Sequence, residues 1–143
     1  WKLFTAGSVG SQTLVGIPAL VGWIDDPELA ARSRVWPFET GLQTIERPGP
    51  NGWRVLHAEI FPSLLTVTPD KGEVKDAAQV RILARQVAEL DARGELAARF
   101  AGPTDVTDQE RAVIESEEGW IIDPREVATP GQSWRSRPRL QGV

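Results

Sequence analysis

Cysteine, methionine and tyrosine are all missing from the 143 residues, and histidine occurs once, as His57. Without cysteine there is no disulfide, no thiolate nucleophile and no Cys-ligated zinc site. A single histidine excludes a His-rich metal centre. Long apolar runs are missing too, since no stretch reaches the roughly eighteen residues that cross a bilayer. The N-terminus has neither the basic start nor the continuous apolar core of a signal peptide. The expectation is a cytoplasmic protein with no membrane partner. Nor is there an excess of basic charge. Sixteen Lys and Arg against 20 Asp and Glu leave a net charge of −4, so no global basic field gathers nucleic acid, and such a ligand needs a local patch or a metal ion.

What is present is an ordinary composition, 41% apolar and 25% charged, long enough for one domain with a real core. The first twenty residues, "WKLFTAGSVGSQTLVGIPAL", place Gly7, Gly10 and Gly16 among small and hydroxyl side chains. A phosphate cradle of the Walker type requires a lysine directly before Ser or Thr, and the dinucleotide fingerprint requires a different glycine spacing. Neither pattern occurs. The spacing predicts a helix capped by Ser8, with Val9, Leu14 and Ile17 as apolar surface, small residues for close backbone approach, and Pro18 kinking or ending it. Phosphate contact by this run, Gly7, Gly10 and Ser11 included, is the competing reading.

Further along, Asp25 or Asp26 is positioned to cap a short helical turn in "DDPELAARS". "RVWPFETG" reads as a short strand ended or bulged by Pro37, and "RPGPNG" is the strongest turn signal. In "WRVLHAEIFPSLL", Val55, His57 and Glu59 alternate with Leu56, Ala58 and Ile60, the pattern of a central strand. Between Val74 and Arg93 the period becomes helical, with Val80, Leu83, Ala84, Val87 and Leu90 in one stripe. Gly94 interrupts that helix and "ELAARFA" continues as a short one. Thr107 and Glu110 have capping-box spacing at the start of a last helix. Beyond Trp120 the Pro, Gly, Ser and Arg content reads as a tail, including Trp134 beside Arg135, Arg137 and Arg139. The expected division is residues 1–123 as the packed part and 124–143 as a poorly packed tail. Helices outnumber strands, so further strands are expected before Trp1 or from a partner chain.

Carboxylates are the main candidates for chemistry. Glu59 lies near the end of the central strand, where open α/β sheets bind ligands. Glu39 ends the preceding strand, Lys75 and Asp76 open the long helix, and Glu115, Glu117 and Glu118 crowd the end of the last helix, where the macrodipole disfavours negative charge. Converging carboxylates suit Mg²⁺ or Mn²⁺, which take oxygen ligands. Plain solvation is the alternative for each glutamate. His57 shares a strand face with Glu59, so a His–carboxylate pair is geometrically allowed.

Taken in order, "GSVGSQTLVGIP", "VWPFETG", "AEIFPSLL", "VKDAAQVR" and "EEGWI" cover about Trp1 to Ile122. They resemble the C-terminal half of an uncharacterised bacterial family often labelled molybdopterin guanine dinucleotide synthesis proteins, distantly similar to RNase H-like domains. The resemblance implies an α/β fold: an RNase H-like mixed sheet with flanking helices, present as an incomplete, C-terminal part. It implies an active-site edge with Glu59, Lys75, Asp76 and Glu118 as catalytic candidates, Glu59 and Glu118 as ligands of Mg²⁺ or Mn²⁺, and acids from a preceding half. The activity implied is phosphoryl transfer or phosphodiester cleavage. The alternative is a molybdenum-cofactor accessory or nucleotide-binding protein in which Gly7 to Thr13, with Gly10 and Ser11, and Lys75 meet a nucleotide, phosphate or pterin without catalysis. A third is a non-catalytic interaction domain.

Overall fold

The computed structural model describes residues 10–45 and 52–125, and they form an α/β fold of helices and short parallel sheets. The first helix, α1 (Gly10–Ile24), contains Pro18 and is not ended by it. Proline forfeits one ladder bond, but the helix formers Ala19 and Leu20 directly after it carry the turn onward. Ser8, expected to cap this helix, and Gly7 lie outside the described residues. The expected packing role of α1 does not hold among the described residues. Leu14, Val15 and Ile17 are more than half exposed, and a Cβ built at Gly16 or Gly22 meets nothing within 4 Å.

Asp26 organises the passage from α1 to the first strand. Its Oδ1 accepts from the N–H groups of Glu28 and Leu29 at 2.8 and 3.2 Å, setting up a 3-10 turn over Ala30–Arg32. The chain then enters β1 (Ser33–Val35), which ends before a cis Trp36–Pro37 bond and a tight turn. β1 pairs in parallel with β2 (Val55–His57), Ser33 opposite Val55. β3 (Glu59–Ile60) pairs in parallel with β4 (Ile121–Ile122), Glu59 opposite Ile121 and Ile60 opposite Ile122. The single expected central strand is therefore two short ones broken at Ala58. Parallel pairing demands long crossovers, and α2 (Lys75–Ala92), α3 (Leu96–Arg99) and α4 (Asp108–Val113) all lie in the connection from β3 to β4.

β4 lies inside the part expected to pack, in a stretch past Trp120 that shows no apolar period. Two residues give too short an alternation to register as a period, yet Ile122 is in the core and Pro124 is fully buried. Arg99 Nη1 then donates to the Arg125 carbonyl at 2.6 Å. Packed chain thus passes the expected boundary at residue 123; residues 126–143, with Trp134 and the three arginines, lie outside the described part.

The core gathers around Trp36, which is 2% exposed. Its indole N–H donates to the Phe100 carbonyl at 2.9 Å, and the two rings meet edge to face at 5.8 Å. Leu42, Ile45, Trp53, Leu90, Leu96, Ile114 and Ile122 complete the cluster. Helix α2 presents Leu83 and Leu90 to the interior with Val87 half-buried, whereas Val80 is 64% exposed and Ala84 is also exposed. The expected stripe is therefore shorter. An 18-residue helix runs ~27 Å, while the strand stretch from Val55 to Ile60 spans only ~20 Å. The first turns of α2, where Ala78 is buried, outrun the sheet and pack on the 3-10 turn Pro62–Leu64, with Gln79 bonded to Ser63.

Candidate functional site

The β3–β4 pair is a wall with a hollow on each side. Paired residues of a parallel ladder share a face, and successive residues alternate. Glu59 and Ile121 accordingly line one cleft, while Ile60 and Ile122 line a different, apolar hollow.

The cleft on the Glu59 side measures about 820 Å³. Its opposite wall is α4 together with the helical turn that continues it. Thr107 starts this helix with the expected capping box: its hydroxyl accepts from the Glu110 N–H at 3.2 Å, and the Glu110 carboxylate accepts from the Thr107 N–H at 2.8 Å. The helix then widens into a π turn over Ile114–Glu118, closed by the Gly119 N–H on the Ile114 carbonyl at 2.9 Å. Such bulges occur often at functional sites. Gly119 takes φ 71° and ψ −174°, a conformation essentially reserved for glycine, and redirects the chain through Trp120 into β4. Helix end and strand start are thereby fixed relative to each other, so Glu118 lines the same cleft as Glu59.

Neither of these two carboxylates has a hydrogen-bond or ion-pair partner among the described residues. The other charged groups of the cleft are engaged. Glu110 serves the capping box, and Asp123 holds Arg125 through contacts of 2.8 and 2.6 Å, which keep the Arg125 pKa above its ordinary value. The remaining lining is largely apolar and aromatic: Phe61, Leu64, Val113 and Trp120 beside Ile121. A large apolar surface with a few convergent polar groups is the usual make-up of a small-molecule site.

The other candidates are placed elsewhere. Lys75 and Asp76 open α2, exposed, and line neither hollow. Gly10 and Ser11 belong to the first turn of α1, and Gly10 lines neither hollow. Glu39 is spent locally, its carboxylate accepting from the Val35 N–H at 2.6 Å. Glu115 accepts from the Leu42 N–H at 2.8 Å and is part of the scaffold. His57 ends β2 outside the cleft lining, and its Nε2, like the Ser33 hydroxyl, is a buried atom without a partner among the described residues. Sequence reasoning missed Phe61, Val113 and Trp120 as cleft residues. The signal available was weak, an aromatic two residues after each candidate glutamate, Phe61 after Glu59 and Trp120 after Glu118.

Among the described residues, no group of three His, Cys, Asp or Glu side chains is placed to hold a metal ion, and no helix is long and apolar enough to cross a membrane. The chain matches no family model, no curated protein and no solved structure.

Proposed function

We propose that the cleft between β3–β4 and α4 binds phosphate esters of the nucleotide or nucleic-acid type through a divalent cation, and that the chain is a phosphoryl-transfer or phosphodiester-cleaving protein of RNase H-like type. The observation that carries this reading is the pair Glu59 and Glu118, lining one cleft from different elements with no partner among the described residues. Two bare carboxylates repel a phosphate. They attract it only by way of a cation.

The donor set fits Mg²⁺ or Mn²⁺ of one particular kind. A closed protein cage needs more ligands than the described residues bring together, but Mg²⁺ is commonly held by one or two carboxylates, with water and substrate phosphate in the other positions. Glu59 and Glu118 would hold the ion, which when bound supplies Lewis acidity at a phosphoryl oxygen. Trp120 and Phe61 line the cleft and supply aromatic rings of the kind on which a base stacks, and the apolar lining keeps water from the bound ring.

Calorimetric titration of the chain with Mn²⁺, alone and with a nucleoside monophosphate, tests this. Glu59→Gln and Glu118→Gln should each weaken Mn²⁺ at least about tenfold, whereas Glu117→Gln, one residue outside the lining, should not. Equal losses in all three variants would reduce the effect to general charge and defeat the reading.

The apolar character of the lining also favours a second reading, binding of a nucleotide or pterin ring without turnover, as in molybdenum-cofactor assembly. Ligand binding that persists in metal-free buffer and in both glutamine variants would select it.

A further inference from the structure

We propose that the hollow on the other side of the β3–β4 wall is a second binding site, for a small apolar molecule carrying one carboxylate, with Arg54 as its anchor. The hollow measures about 680 Å³. It opens to solvent beside the exposed Arg54, and a volume of this size lies within the ~300–1,000 Å³ of ligand clefts.

Its walls offer water few partners. Trp53, Leu56, Ile60, Val87, Phe100 and Ile122 supply side chains with no polar group other than the Trp53 indole N–H, and a buried water needs two to four polar partners. An apolar body suits these walls.

One lining side chain is charged, and it is Arg54. Its backbone N–H donates to the Arg32 carbonyl at 2.8 Å, which ties its base to the sheet. The residue is exposed, and its guanidinium has no ion-pair partner among the described residues. From an exposed residue of the lining a guanidinium can offer the hollow a planar fork of donors, which a carboxylate meets with two parallel charge-assisted bonds. An ammonium is repelled there, and an alcohol gains no ionic bond. A saturated monocarboxylate with its chain among Leu56, Val87 and Phe100 and its head at Arg54 matches both halves of the site. This assignment is independent of the Glu59 cleft, since Ile60 and Glu59 face opposite sides of the strand.

The test is calorimetric titration of the full chain with decanoate, decanol and decylamine. Decanoate is expected to bind at least about tenfold more tightly than decylamine. Arg54→Gln, a change at an exposed position, should remove that preference while leaving decanol affinity as it was. Ala58→Phe, which puts a ring into the hollow, should abolish binding of decanoate and decanol alike; if that variant does not fold, the Arg54→Gln comparison decides alone. Glu59→Gln should change none of these affinities. Absence of decanoate binding up to about 1 mM, equal affinity for the carboxylate and the amine, or decanoate binding that survives Ala58→Phe would each overturn the proposal.

Discussion

The Leu42 backbone N–H donates to the Glu115 carboxylate at 2.8 Å, and the two residues are 73 positions apart. Arg111, one helical turn before Glu115 and 3.8 Å from its carboxylate, donates to the Leu42 carbonyl at 3.0 Å. Both polar groups of one buried backbone unit are thus satisfied by an i,i+4 pair on the last helix. That clamp fixes α4 against the turn after β1. It also separates the roles of the acidic cluster: Glu115 secures the fold, and Glu118 is left to the cleft.

Glu115→Ala should therefore lower stability by about 1–2 kcal/mol, since a hydrogen bond to a charged group contributes ~1.5–3 kcal/mol and partial exposure of this side chain screens it. Glu115→Gln keeps an acceptor and should cost less. Urea denaturation midpoints measure both, and an alanine variant as stable as the parent would rule the clamp out.

A paired substitution on α2 checks which face is buried. Leu90 has no exposure, and Leu90→Ala should cost about 2–5 kcal/mol. Val80, at 64% exposed, should tolerate alanine within about 0.5 kcal/mol. Comparable losses at the two positions would mean that the sheet reaches the first turns of the helix.

Legibility in the sequence tracked the length of each signal. The 18-residue α2 and the Thr107–Glu110 capping box were readable because a period repeats over several turns and a cap has fixed spacing. Leu56, Ala58 and Ile60 do line one hollow together, as their alternation required. By contrast, β4 has two residues, and two residues carry no period. The exposure of Val80 depends on where the sheet ends, and that is a tertiary fact. At the candidate site, Glu59 and Glu118 stood out by their position along the chain, but Glu59, expected near the end of a strand, opens β3. Their shared cleft was expected from the resemblance alone, because nothing in the residues announces the π turn and the conformation of Gly119 on which it depends.

Acid should act through Glu73 just ahead of α2. Two hydrogen bonds from the Arg81 guanidinium, at 2.9 and 2.8 Å, and one from the Asp70 N–H hold its pKa at about 2, below the ordinary 4.5. A carboxyl whose pKa is lower folded than unfolded binds fewer protons in the native state. Its contribution is fully present above the unfolded value and is lost as pH falls from about 4.5 through about 2. Glu73→Gln should flatten the acid limb of the stability curve in that window and leave its shape at neutral pH unchanged. An acid limb that falls just as steeply in the variant would show that the Arg81 pair contributes nothing to it.

Gly119 joins the fold to the cleft, and Gly119→Ala tests both at once. Its φ of 71° with ψ of −174° is almost closed to residues with a side chain. A Cβ added there would come within 3.1 Å of the Phe38 ring. Backbone strain of this kind costs ~1–3 kcal/mol, and Phe38, being 48% exposed, has room to swing away, so the strain should dominate the loss. The alternative to bearing that strain is a shift in φ, which would turn Trp120 and Ile121 relative to the π turn and draw Glu118 away from Glu59. The variant should therefore lose stability by that amount and bind Mn²⁺ more weakly than its fraction of folded protein accounts for. If it folds with unchanged Mn²⁺ affinity, the Gly119 turn serves only the chain reversal, and Glu118 does not share an ion with Glu59.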